Sequence, residues 1–123
     1  MKKHILVVDD EIGALTLIGI MLERGGFGVL KAKDAKSALA ILDQNTPDMI
    51  ILDVMMPGMD GIEVCRQIRH NYEDQRPFIL MYTADDRELT RRNSLMAGAN
   101  ELLTKDTPVH ELASKIDAFL AVA

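Results

Sequence analysis

The chain has one cysteine, Cys65, no tryptophan, and no apolar run approaching the roughly 20 residues that a membrane-spanning helix needs. A lone cysteine cannot close an intramolecular disulfide, and no Cys or His pair stands at zinc-like spacing, so a disulfide scaffold and a structural zinc are excluded. Met1, Lys2, Lys3 and His4 lead straight into a strand-like run with no signal-peptide pattern, so a cytoplasmic protein without membrane contact is expected. Positive charge is also scarce. With 14 Lys and Arg against 19 Asp and Glu, a net charge of -5 and a pI near 5.1, the chain lacks the cations that neutralise phosphates, which argues against direct nucleic-acid binding. Any DNA role would need another domain. His4, His70 and His110 are scattered, and no internal repeat, low-complexity tract or linker interrupts the 123 residues. A single domain spanning 1–123 is expected.

What is present is a globular composition, 48% hydrophobic and 27% charged, organised as short apolar runs alternating with helix-like stretches. The runs predict strands over His4 to Val8, Gly28 to Ala32, Met49 to Leu52, Phe78 to Tyr82 and Asn100 to Leu103. That alternation marks βαβ units on a parallel sheet. Gly25 and Gly26 close the first helix, Asn45, Thr46 and Pro47 the second, and Gly98 the fourth. Gly58 and Gly61 bracket a tight turn into the third, and Thr107 and Pro108 open the fifth as N-cap and first helical residue. Right-handed crossovers with helices on both faces point to an α/β, doubly wound, five-stranded sheet of order 2-1-3-4-5 with five helices.

In that order the first strand neighbours the third, which places Asp9, Asp10 and Glu11 beside Asp53 at the carboxyl edge of the sheet, where such folds bind ligands. Clustered carboxylates repel unless a cation or proton neutralises them. Mg²⁺ takes octahedral oxygen coordination, and Asp10, Asp53 and Asp9 form a half-site for it, with the main-chain carbonyl of Met55 in reach. The fourth and fifth strands end in Thr83 and Lys105, adding a hydroxyl and an ammonium at the same edge. Singly, each residue has a plainer reading: Asp53 capping a turn, Asp10 the first helix, Thr83 the fourth helix, and Lys105 simply solvated. Together they suit phosphoryl transfer onto a carboxylate. Such a group is ionised at neutral pH and needs no general base, but its charge must be screened from an anionic phosphoryl group.

Ile5 through Glu11, Asp53 with Met56, Pro57, Gly58, Met59, Asp60 and Gly61, then Thr83 and Ala84, Ala97 to Ala99, and Lys105 form an ordered set covering essentially the whole chain. This set resembles the receiver domain of bacterial two-component response regulators, a flavodoxin-like fold. The resemblance implies that Asp53 accepts a phosphoryl group from a phosphohistidine on a sensor histidine kinase or histidine phosphotransfer protein. It also implies Mg²⁺ at Asp10 and Asp53, with Asp9 nearby or reaching through water, and Thr83 and Lys105 sensing the phosphoryl group. Such a domain is a switch for a downstream protein or output domain, with only self-directed phosphotransfer and autodephosphorylation.

Two positions depart from the family pattern. Leu102 stands where many receivers carry an aromatic that couples to the threonine, and Asp106 follows Lys105 where proline is usual. An aromatic toggle cannot operate, Tyr82 alternates to the opposite face from Thr83 and is not a substitute, and Asp106 is placed to pair with Lys105. On the first helix, Ala14, Leu17, Ile18 and Met21 form the middle of an apolar arc flanked by Ile20 on one side and by Leu15 and Leu22 on the other. The arc reads either as scattered surface residues or as a docking face for a four-helix phosphodonor or, in a homodimer, a second copy. Competing functions are a degenerate receiver that binds a partner without phosphorylation, a flavodoxin-like electron carrier, whose flavin phosphate Asp9 and Asp10 would repel, and a phosphohydrolase, which would want a carboxylate where Met55 stands.

Overall fold

The computed structural model of the chain describes residues 2–72 and 77–122. Met1 and Ala123, at the ends of the stretches read above, lie outside the described residues. The elements alternate as β1 (His4–Val8), α1 (Ile12–Arg24), β2 (Gly28–Ala32), α2 (Ala35–Gln44), β3 (Met49–Leu52), α3 (Gly61–Asn71), β4 (Phe78–Thr83), α4 (Glu88–Met96), β5 (Glu101–Thr104) and α5 (Val109–Val122). The five strands are parallel in the order β2-β1-β3-β4-β5, as expected.

Strand alternation sorts the core into two layers. Leu6, Val8, Ile50, Leu52, Ile79, Met81 and Leu102 pack with α2, α3 and the end of α4. Ile5, Val7, Met49, Ile51, Leu80 and Tyr82 pack with α1 and α5. The central strands β1 and β3 are covered on both faces, which is why they read as unbroken apolar runs. Among the described residues no helix is long and apolar enough to cross a membrane.

The ends of the elements carry their own chemistry. Asp34 and Asp60 accept from the backbone N–H groups of Ser37 (2.7 Å) and Glu63 (2.9 Å), capping α2 and α3. β4 runs one residue further than expected because the Thr83 carbonyl accepts the Lys105 N–H at 2.8 Å. β5 begins one residue later, at Glu101, since Asn100 acts as a turn residue whose Oδ1 takes the Ile79 N–H. Helix α5 starts at Val109, just past Pro108.

The arc expected on α1 is rotated. Leu15, Ile18, Gly19 and Leu22 face the core, whereas Leu17 is 50% exposed and Ile20 42% exposed. Gly19 explains the difference: the stem of Lys31 lies against it, so close that an added Cβ would meet Lys31 Cε at 2.6 Å. A count of apolar side chains passes over a glycine that buries well.

The turn between β3 and α3 shapes the sheet edge. Gly58 has φ +80°, a left-handed conformation that glycine adopts at no steric cost. Gly61 is needed for space instead, since an added Cβ would lie 2.0 Å from the Asp53 carbonyl oxygen. The Gly61→Ala variant must push the Asp53 backbone away and is expected to lose about 1–3 kcal/mol of stability, as overpacked cores do. Denaturant unfolding against wild type measures that loss, and equal midpoints would show that the turn yields freely.

Candidate functional site

Asp9, Asp53 and Lys105 each follow directly on a strand, and backbone pairing continues one step beyond it to hold them. The Asp9 N–H donates to the Ala32 carbonyl (3.1 Å), the Asp53 N–H to the Val8 carbonyl (3.1 Å) and the Lys105 N–H to the Thr83 carbonyl (2.8 Å). The three side chains therefore emerge from a rigid edge and not from free loops. They converge: Lys105 Nζ lies 2.9 Å from Asp9 Oδ2 and 2.9 Å from Asp53 Oδ2.

The remaining carboxylate oxygens are also engaged. Asp9 Oδ1 accepts from the Glu11 N–H (3.0 Å), and Asp53 Oδ1 accepts from the Met55 N–H (3.0 Å). Both acids are buried, whereas Asp10 beside them is exposed. Burial draws the Lys105 ammonium toward neutrality, but its hydrogen bonds to Asp9 and Asp53 outweigh this and hold its pKa above the ordinary lysine value.

Carboxylate oxygens of Asp9, Asp10 and Asp53 all lie within 4.8 Å of one another. One ammonium against three carboxylates leaves the cluster short of positive charge. An all-oxygen donor set, with Asp10 exposed on its open side, fits a hard divalent cation such as Mg²⁺. The expected carboxylates are thus assembled with Lys105, and Thr83, at the end of β4, adjoins them through the bond between its carbonyl and the Lys105 N–H.

Thr83 is fully buried, and its Oγ1 accepts from the Asp85 N–H (3.2 Å). It does not cap α4. Asp85 shapes that helix start instead, accepting from the Arg87 N–H (3.1 Å), from Arg87 Nη2 (2.6 Å) and from the Thr90 hydroxyl (2.7 Å). Sequence reasoning did not assign this cluster, although an acid ahead of a helix is the usual signal for it. Asp106 does not pair with Lys105 as expected: it accepts from the Thr104 hydroxyl, while Lys105 turns to the two buried acids. Leu102 is buried among α2, α3 and α4 core residues, and Tyr82 lies in the opposite layer from Thr83. Met55 (57%) and Ile12 (61%) are large apolar residues left exposed two positions beyond the site residues Asp53 and Asp10 in the chain.

Hydrogen bonds from Arg87 and then Thr90 hold the Asp85 carboxyl well below the usual carboxylate range, against the effect of burial. A native pKa below the unfolded value means that this stabilisation is present above about pH 3.8 and is lost as pH falls through the lower native value. In a carboxyl ¹³C titration Asp85 is expected to stay ionised where exposed acids protonate. The Arg87→Ala variant should move its titration upward, and an ordinary midpoint in wild type would contradict the cluster.

A family model described as the response regulator receiver domain matches residues 5–117. The alkaline phosphatase synthesis transcriptional regulatory protein PhoP of Bacillus subtilis is 43% identical over 121 residues, covering 98% of this chain and 49% of that protein. The chain therefore spans about half the length of this curated relative. Among solved structures, the chemotaxis response regulator CheY4 of Vibrio cholerae has a TM-score of 0.88 at 28% identity, covering 98% of this chain and 99% of the other. A CheY-like receiver domain protein from Methanospirillum hungatei has a TM-score of 0.90 at 26% identity, with 98% and 95% covered.

Proposed function

The chain belongs to the response regulator receiver domain family, and on that premise we propose that Asp53 is its phosphoacceptor, with Lys105, Thr83, Asp9 and Asp10 as the supporting site. Receiver domains are phosphorylation-dependent switches of two-component signalling, they bind Mg²⁺ at an acidic cluster, and those of PhoP-like regulators interact with histidine kinases. The observation that carries the residue assignment is the Lys105 ammonium, 2.9 Å from both Asp9 and Asp53 at the carboxyl edge of the sheet.

In this reading a carboxylate oxygen of Asp53 attacks the phosphorus of a phosphohistidine. A P–O bond forms, the P–N bond breaks, and its electron pair returns to the imidazole. The Met55 N–H and Lys105 fix the orientation of the nucleophile beforehand. Lys105 needs only a short movement from the Asp53 oxygen to a phosphoryl oxygen, where it offsets the incoming charge. Mg²⁺, held by Asp10, Asp53, Asp9 and the main-chain carbonyl of Met55, would supply the remaining positive charge for the transferring group. Thr83 has a hydroxyl proton to donate to a phosphoryl oxygen, and turning its side chain toward that oxygen exchanges the bond its Oγ1 accepts from the Asp85 N–H.

That exchange is also the readout. Leu102 is packed and has no polar tip, so the signal passes from Thr83 to Asp85 and on to Thr90 of α4. Helix α4 turns Thr90 and Ser94 inward, with Ala97 at its C-cap, in place of large apolar residues, which favours its displacement. Phosphorylation must favour the active arrangement by roughly 5 kcal/mol to convert a mostly inactive ensemble. The phosphodonor, a sensor histidine kinase or histidine phosphotransfer protein, docks over Ile12, Leu17 and Ile20 of α1 with Met55 at the rim. Output passes to a downstream protein or a further domain, and the acidic charge leaves nucleic-acid contact to such a domain.

Intact-mass analysis after incubation with acetyl phosphate and Mg²⁺ tests the assignment. Wild type is expected to gain one phosphoryl group and Asp53→Ala none; label persisting in that variant would falsify it. Lys105→Ala removes a charge-assisted interaction of about 1.5–3 kcal/mol, so labelling should slow about ten- to hundredfold. Mg²⁺ should raise the melting temperature of wild type and not of Asp10→Asn, and equal responses would remove Asp10 from the metal site. Leu17→Glu with Ile20→Glu should slow transfer from a phosphohistidine donor about tenfold and leave acetyl phosphate labelling unchanged. Unaltered transfer from both donors would exclude the α1 face, and a change in oligomeric state alone would assign it to a second copy.

A further inference from the structure

We propose that Tyr82 is a positioning residue for Lys105, its ring and hydroxyl together holding the ammonium over Asp9 and Asp53. This rests on the reading of Lys105 given above. Tyr82 is the last but one residue of β4, on the α1 and α5 face, and is buried in that core layer. Its hydroxyl donates to the Thr107 carbonyl at 2.6 Å, reaching from β4 into the loop between β5 and α5. Its ring centroid lies 5.8 Å from Lys105 Nζ, within cation–π range. Burial pushes the phenol pKa up, although Lys105 opposes this, so the hydroxyl keeps its proton and remains a donor.

The backbone on either side of Lys105 is otherwise held by two bonds. The Lys105 N–H donates to the Thr83 carbonyl, and the Thr107 N–H donates to the Thr104 carbonyl at 2.9 Å, closing a four-residue turn. Neither bond restrains the long lysine side chain, which has four rotatable bonds. Asp9 and Asp53 take two of its three donors, and the Tyr82 ring lies within range of the same ammonium. The Thr107 anchor in turn keeps the loop seated against that ring. Tyr82 touches no reacting atom. It acts through Lys105, whose path from Asp53 to a phosphoryl oxygen it limits.

The proton shifts check the contact, and the dependence of the labelling losses on Lys105 separates a positioning residue from a core-filling one. In unphosphorylated wild type the Lys105 Hε protons should be shifted upfield by the ring relative to the other lysines, and Tyr82→Leu should abolish that shift. Tyr82→Phe, which keeps the volume and ring but frees the loop, should slow the maximal rate of acetyl phosphate labelling about threefold, and Tyr82→Leu about tenfold. In a Lys105→Ala background neither substitution should slow the residual rate further. Ordinary Lys105 Hε shifts in wild type, or losses that multiply with Lys105→Ala, would overturn the proposal. The proton shifts are read without phosphorylation, so ordinary values overturn it even if Asp53 takes no label. Normal labelling of both variants would sink it and leave the phosphoacceptor assignment intact.

Discussion

Asp9 and Asp53 are buried side by side at the end of a parallel sheet, and the Lys105 ammonium between them is what allows both to stay there. Without a cation two such carboxylates repel and resist desolvation. With one, each keeps a defined direction, because one oxygen of each faces the ammonium and the other accepts a backbone N–H. The position of Lys105 depends in turn on β5 pairing with β4, and those of the acids on β1 pairing with β2 and β3. The site is a property of the sheet order as much as of its residues.

The same edge links the site to α4. Thr83 is the last residue of β4, and its oxygen holds the Asp85 N–H, while the Asp85 carboxylate gathers Arg87 and Thr90 at the helix start. On the other side Arg91 donates to the Leu102 carbonyl at 3.1 Å, tying α4 to the edge strand. A helix fastened by polar bonds at its start and along one flank, with small residues inward, has discrete places to release. In the proposed function that is the route from the site to the surface, with no aromatic at position 102.

Two surfaces around the site differ in how they are built. The floor is rigid, with Gly61 pressed against the Asp53 carbonyl and core layers behind β1 and β3. The rim is apolar and exposed, with Met55 beside Asp53 and Ile12, Leu17 and Ile20 along α1. In the proposed function a rigid floor preorganises the reacting groups, while an apolar rim suits a partner that comes and goes.

Much was legible in the sequence because it depends on local pattern. Apolar runs, glycine and proline punctuation and the residues after each run determined the strands, the fold class and the cast of Asp9, Asp10, Asp53, Thr83 and Lys105. Strand boundaries moved by one residue at Thr83 and Asn100, where a pairing bond or a side-chain bond decides the end. Only the tertiary structure decided which groups pair. Lys105 takes Asp9 and Asp53 over its sequence neighbour Asp106, Leu15 goes inward while Leu17 goes out, and Tyr82 reaches Thr107. Composition and periodicity report what a residue can do, but hydrogen bonds and burial between residues distant in the chain depend on the sheet that brings them together.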